Sequence, residues 1–313
     1  MAITDNLRLT LKVCQLYYEH NMSQKEISAQ LGISRPQISR ILTGARENNV
    51  VSIKINNPFL EETKLEQYLV ERYGLRDALV LNTGKAGKPD DELEEFGRMA
   101  ADCIDAYIMD HNRVGVMSGQ TISSLAWSIR TLNRRGLEFV PLVGGMSSTS
   151  ASWHANAIAQ RLAECSGGNC YILNAPIIVQ SKEAKDILTR EPGIAEVLQK
   201  IDGCDVAIVG IGQINMNSTN VKAGTLGNDD IKRLEEAGAV ASVCTSYLDG
   251  QGRIIETELD ERTIGVTLSQ LKKSRTIALA IGSSKESSIK AALSSGYLDL
   301  FITNLETARK IAE

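Results

Sequence analysis

The sequence predicts a small all-helical head followed by a large α/β domain built on a mostly parallel sheet. Three observations carry that expectation. Residues 1–55 hold seven Lys or Arg against four Asp or Glu, and the remainder holds 27 against 34, so a weakly basic head precedes an acidic body. Helical periodicity punctuated by turn signals fills the head. From residue 77 onward, short wholly apolar runs alternate with helical stretches, the pattern of strands covered on both faces by crossover helices. The chain has 313 residues, 43% hydrophobic and 23% charged. That is long enough for one large core plus a smaller module. The composition excludes wholesale disorder, a collagen-like repeat and a small disulfide-stapled scaffold.

In the head, residues 8–20 read as an amphipathic helix, with Leu9, Leu11, Val13, Leu16 and Tyr17 on its apolar face. A second helix is expected to begin after Ser23, with Glu26 at the spacing of a capping box. Ile27, Ser28 and Leu31 then face inward, and Gly32 turns the chain. Ser34 precedes a third helix whose first turn holds Pro36, where a missing N–H costs little. Ile38 and Ile41 mark its buried side. Small Ser28 and Gly32 between two helices in matching phase make a helix-turn-helix.

The opposite face of the third helix carries Arg35, Gln37, Ser39 and Arg40, with no acid nearby in sequence. Gln and Arg reach base edges, while Ser, Arg and a helix start hold phosphates, so this face suits double-stranded DNA. Lys25, Ser34 and Arg46 complete the candidate contacts. Val50–Ile55 alternates in β-branched residues and predicts a short strand, and Asn56-Asn57-Pro58 marks a boundary. The division expected is 1–57 for the DNA-binding head and 58–313 for effector binding and oligomerisation. Residues 59–73 predict an amphipathic helix, suited either to oligomerisation or to packing on its own domain.

In the body, strands are expected at Ala78–Leu81, Val114–Met117, Phe139–Val143, Tyr171–Leu173, Val206–Gly210, Thr276–Ile281 and Leu298–Ile302. Helices are expected at 91–109, 120–131, 151–164, 227–237, 284–294 and 304–312. Functional loops of such sheets lie at the carboxyl ends of strands. Gly and hydroxyl residues cluster there: Ser118, Gly119, Gln120 and Thr121; Gly144, Gly145, Ser147 and Ser148; Gly210 and Gly212; and Gly282 through Lys285. Free N–H groups at helix starts, with hydroxyls and one lysine, suit an anion such as phosphate. His154 and Asn156, in the first turns of the helix after the Gly144 loop, lie within reach of such a ligand.

Other chemistries fit less well. Gly210-Ile-Gly212 lacks the third glycine of a dinucleotide fingerprint, and no Walker motif occurs. No Ser-His-Asp or Cys-His arrangement is visible. Asp249 through Gly252 reads as a hairpin turn, and Asp260, Glu261 and Arg262 as a helix start. The six cysteines (14, 103, 165, 170, 204 and 244) include no CxxC, and three His are too few to help them build a metal site, so buried free thiols are expected. No cofactor and no metal are implied. The start lacks a signal-peptide pattern, and no run approaches the roughly 18 apolar residues of a membrane span. A cytoplasmic protein with no membrane partner is the expectation.

Taken in order, several of these stretches resemble the SorC/DeoR-type sugar-binding transcriptional regulators. The helix-turn-helix from Leu16 to Leu42 is similar to the family's amino-terminal signature. Gly115 and Gly119-x-Thr121, Pro141-Leu-x-Gly144-Gly145, His154-x-Asn156, Ala175-Pro176, Gly210-Ile-Gly212 and Gly282-x-x-Lys285 follow in the family's order and spacing. The resemblance covers nearly the whole chain. It implies a body of the sugar-phosphate isomerase and CoA transferase fold class that binds a phosphorylated sugar or polyol rather than converting it. It places phosphate around Gly144, Gly145, Ser147 and Ser148, with Lys285 opposite, and implies a homodimer or homotetramer on DNA. Ser242 stands where relatives carry an acid for ligand hydroxyls, and Ser118 follows Met117 where they often have Ser-Trp-Gly. Val143 replaces the lysine through which some deoxyribose-phosphate sensors form a Schiff base. The alternative is an isomerase- or lyase-like enzyme fused to a DNA-binding module.

Overall fold

The computed structural model describes residues 3–84, 89–145, 151–222 and 224–313. The chain divides into two compact units, Met1–Pro58 and Phe59–Glu313.

The first unit contains α1 (Ile3–Cys14), a π-helical turn at Gln15–Glu19, α2 (Gln24–Leu31) and α3 (Arg35–Glu47). The capping box forms as the spacing predicts: the Glu26 N–H donates to the Ser23 hydroxyl at 3.3 Å, and the Ser23 N–H donates to the Glu26 carboxylate at 2.8 Å. Gly32 sits at φ +67°, in the left-handed region where a Cβ is unfavourable. The Ser28 hydroxyl closes the turn by donating to the Ile33 carbonyl at 2.6 Å. Val13, Ile27, Ile38, Leu42 and Ala45 form a small core between the helices.

Val50–Ile55 is not a strand. Val50 and Val51 fold back so that both N–H groups donate to the Ala45 carbonyl, and Ile53 and Ile55 are exposed. Alternation signals a strand only where another strand offers a ladder, and among the described residues none does.

The second unit opens with α4 (Leu60–Tyr73), then β1 (Asp77–Leu81), α5 (Pro89–Ile104), β2 (Arg113–Val116), α6 (Gln120–Ser128), β3 (Glu138–Pro141), α7 (Ala155–Ser166) and β4 (Asn169–Cys170). It continues through α8 (Lys182–Arg190), α9 (Pro192–Ile201), β5 (Val206–Gln213), α10 (Thr219–Lys222) and α11 (Asn228–Glu236). A meander of β6 (Ala241–Val243), β7 (Ser246–Leu248) and β8 (Ile254–Ile255) follows, then β9 (Arg275–Leu279), α12 (Glu286–Ser294), β10 (Leu300–Asn304) and α13 (Leu305–Ala312).

The main sheet runs β1-β10-β9-β5-β2-β3-β4, and its pairs are parallel. Its strands are apolar nearly throughout because helices cover both faces. β5 is longer than its neighbours. Its first residues pair in parallel with β2 and β9, and its last three pair antiparallel with β6. That overrun seeds a small lobe around Ile214, Ile231, Leu234, Tyr247 and Leu259.

α4 packs on its own domain, burying Leu69 and the side of Leu65. It also covers the exposed edge of β1. Glu66 accepts the Val80 N–H at 2.9 Å, and the Asn82 amide donates to Glu62 at 3.1 Å. Such covering removes unpaired edge groups that another strand would otherwise seek.

Two smaller expectations shift, and a third holds. The strand near 170 is Asn169–Cys170 rather than Tyr171–Leu173, because the Asn156 amide grips Leu173 in place of a ladder. Asp260–Arg262 is a run of turns, with Asp260 accepting the Thr257 N–H at 2.6 Å. Asp249 does hold the β7–β8 hairpin, accepting N–H groups of Gln251 and Arg253. Among the described residues, no helix is long and apolar enough to cross a membrane.

Candidate functional site

The exposed face of α3 is built by what the other face buries. Ile38, Leu42 and Ala45 fix the helix against the head's core. That leaves Arg35, Gln37, Ser39, Arg40 and Arg46 exposed on α3, with Ser34 just before it and Lys25 exposed on α2. No described carboxylate pairs with Lys25, Arg35, Arg40 or Arg46. Ser34 occupies the N-cap position, yet its hydroxyl makes no cap bond. A free hydroxyl beside a helix amino terminus is a ready phosphate contact.

In the second unit, a cavity of about 510 Å³ opens at the carboxyl ends of the central strands, between the main sheet and the small lobe. From the end of β2 and the start of α6 come Ser118, Gly119, Gln120 and Thr121. β5 supplies Gly210, Gly212 and Gln213, and the lobe supplies Ser242 and Cys244. The loop after β9 brings Gly282, Ser284 and Lys285, and His154 enters from the start of α7. Gly119 and Gly282 sit at φ +143° and +115°, values that side chains resist, so each loop turns sharply into its helix only because no Cβ is present.

Backbone and side-chain bonds brace these loops against one another. The Gly119 N–H donates to the Trp153 carbonyl at 3.0 Å, and the Ser123 hydroxyl to the Ser152 carbonyl at 2.9 Å. Gln213 donates to the Ser284 carbonyl across the cavity. Lys285 makes no ion pair with a described carboxylate, and burial holds its pKa below the ordinary lysine value. The Nε2 atom of His154 is buried without a described partner. Together these groups form a half-enclosed polar pocket that holds an ammonium outside any described ion pair and has hydrogen-bonding capacity to spare. Such a pocket can hold a small anion bearing hydroxyls. Among the described residues, no cluster of His, Cys, Asp or Glu is arranged to hold a metal ion.

Three of the expected site residues lie off this lining. The N–H groups of Gly144 and Gly145 are spent on the carbonyls of Ile264 and Ala175, at 3.1 and 3.0 Å. Asn156 uses both ends of its amide on the Leu173 backbone, at 3.0 and 3.1 Å. Ser147 and Ser148 lie outside the described residues. Conversely, Asp90 and Glu92 from α5 line the cavity, as do Asn217, Ser218, Thr219, Asn220 and Lys222 before and within α10. The dense amide and hydroxyl run from Asn215 to Asn220 is a signal that sequence reading had available. Asp90 and Glu92 look like ordinary helix-start acids and gave none.

The family model described as "Putative sugar-binding domain" matches residues 57–313, and the model for sigma-70 region 4 matches residues 11–48. The chain is 28% identical over 311 residues to the sorbitol operon regulator of Klebsiella pneumoniae, covering 98% of each. It is 30% identical over 307 residues to the deoxyribonucleoside regulator of Bacillus subtilis, covering 97% of each. The crystal structure of the full-length sorbitol operon regulator SorC from Klebsiella pneumoniae matches with a TM-score of 0.75 at 27% identity, over 98% of this chain and 99% of that one.

Proposed function

The chain belongs to the SorC/DeoR-type sugar-binding transcriptional regulators, and from that premise we propose that a small phosphorylated sugar or polyol in the body's cavity controls how its head binds operator DNA. The observation that carries the effector half is Lys285, a half-buried ammonium in no ion pair with a described carboxylate, on a cavity rich in amides and hydroxyls whose other charged residues are Asp90, Glu92 and Lys222. The relatives named for sorbitol and deoxyribonucleosides support a polyol or sugar as the ligand's body. In this reading the cavity binds its ligand without converting it.

For the DNA half, Gln37 and Arg40 read bases, while Lys25, Ser34, Arg35, Ser39 and Arg46 hold phosphates. One such head covers only about 600–1,000 Å² of DNA-facing surface, so specific binding calls for two or more copies, as a homodimer or homotetramer. The effector favours one arrangement of that assembly, and by reciprocity DNA favours or opposes the effector to the same extent. The protein acts in the cytoplasm, where its six free cysteines remain thiols.

The test is selection of duplex fragments from the host genome, followed by competition binding at fixed salt. Arg40→Ala and Gln37→Ala are expected to lose about 1–3 kcal/mol of specific binding and leave the fold intact. Undiminished operator affinity in both variants rejects the α3 assignment. A panel of sugar and polyol phosphates is then expected to raise the melting temperature and shift operator affinity. Steady turnover of a panel member at an enzyme-like rate overturns the binding-only reading.

A further inference from the structure

We propose that Glu92 is the hydroxyl-accepting carboxylate of the cavity and that buried Asn304 holds it in place, so the ligand is a polyhydroxylated anion gripped at two separate points. This rests on the anion-binding reading of the cavity given above.

Asn304 ends β10 and is 1% exposed, as is Thr307 in the first turn of α13. The Asn304 Oδ1 accepts the Thr307 N–H at 3.0 Å and caps α13, while its Nδ2 donates to Oε1 of Glu92. The Thr307 hydroxyl in turn accepts the Gly282 N–H at 2.9 Å. One buried chain of bonds therefore runs from α13 to the loop that carries Lys285 and, separately, to Glu92. An amide committed at both ends cannot turn away without leaving buried polar groups unpaired.

Glu92 spends one carboxylate oxygen on Asn304, and among the described residues no hydrogen bond or ion pair engages the other. Glu92 and Lys285 line the same cavity without forming an ion pair. An ionised carboxylate only accepts and an ammonium only donates. A ligand satisfying both carries an anionic group at one end and O–H donors at the other. Inorganic phosphate satisfies Lys285 but is repelled by Glu92, and an uncharged polyol leaves Lys285 unneutralised. Stabilising the start of α5 by charge needs neither the cavity nor the Asn304 clamp, and Asp90 and Asp91 already supply it.

The experiment titrates the full-length protein calorimetrically with hexitol, pentitol and tetritol phosphates, hexyl phosphate and inorganic phosphate. The unaltered protein is expected to bind at least one polyol phosphate about tenfold or more tightly than hexyl phosphate, the scale of a charged hydrogen bond. Glu92→Gln is expected to lose that preference while binding inorganic phosphate as well or better. Asn304→Ser retains a helix-capping hydroxyl. It is expected to move the preference the same way. A Glu92→Gln protein that keeps the full preference, while Lys285→Ala loses binding, overturns the role of Glu92 and leaves the anion reading standing. An Asn304→Ser protein that folds and keeps the preference overturns the positioning role; should it fail to fold, Glu92→Gln alone decides. If no phosphate in the panel binds the unaltered protein, the anion reading fails and this proposal with it.

Discussion

Lys285 carries its ammonium into a half-buried loop without a described carboxylate beside it, whereas Arg113 and Arg134 are paired with Glu138 and Asp105. Burial penalises the charged form, so the folded pKa lies below the value of the unfolded chain, ordinarily about 10.4. The charging cost is absent well above the unfolded value, sets in as pH falls through it, and is complete below the folded value. A bound anion removes that cost and raises the pKa, so binding draws in a proton between the two values, and affinity falls as pH climbs through the lowered one. Titration at a series of pH values from neutrality up to the ordinary lysine pKa of about 10.4, in buffers of different ionisation enthalpy, is expected to show a window of proton uptake that Lys285→Met abolishes. Equal uptake in the variant assigns the proton elsewhere. That Lys285 lines the cavity could be expected from the sequence, because it is the one lysine in a cluster of Gly and hydroxyl residues at a strand's carboxyl end. Glu92 could not, because its meaning depends on Asn304, more than 200 positions away along the chain.

Among the elements, α2 and α3 differ in how their starts are made. Ser23 accepts the Glu26 N–H and sits in a reciprocal box, while Ser34 leaves its hydroxyl unused. Ser23→Ala is therefore expected to destabilise the head by about 1 kcal/mol, and Ser34→Ala by less than about 0.5. Denaturant unfolding followed by circular dichroism reads the first effect. Operator binding is expected to show the reverse ranking, with Ser34→Ala the weaker binder. Equal destabilisation by the two changes contradicts the cap assignment. The parallel strands and the head helices were readable because burial on both faces, or along one stripe, leaves a periodic trace. β6 to β8 are two or three residues long and so write no such trace. The Val50–Ile55 alternation misleads for the converse reason: its pattern is local, and a strand is made by its partner.

At the scale of the molecule, the chain is two folding units with separate cores and opposite charge balance, and the two ligands proposed for it fall one on each. A small helical head with six buried apolar residues among those described has far less to hold it than a body whose core includes most of ten strands and their covering helices. Heating the full-length protein is thus expected to give two transitions, the head melting first. Both tryptophans, Trp127 and Trp153, lie in the body, so their fluorescence follows only the second transition while far-ultraviolet dichroism follows both. A ligand that binds one native unit stabilises that unit by mass action. A polyol phosphate at about a hundred times its Kd is expected to raise the tryptophan-detected midpoint by about 5–10 °C. An operator duplex is expected to act first on the lower transition. The polyol phosphate's dissociation constant measured with and without the operator duplex gives the coupling between the sites, and its direction tells whether effector and DNA assist or oppose each other. A single concerted transition, raised equally by either ligand, contradicts independent units and makes head and body one cooperative fold.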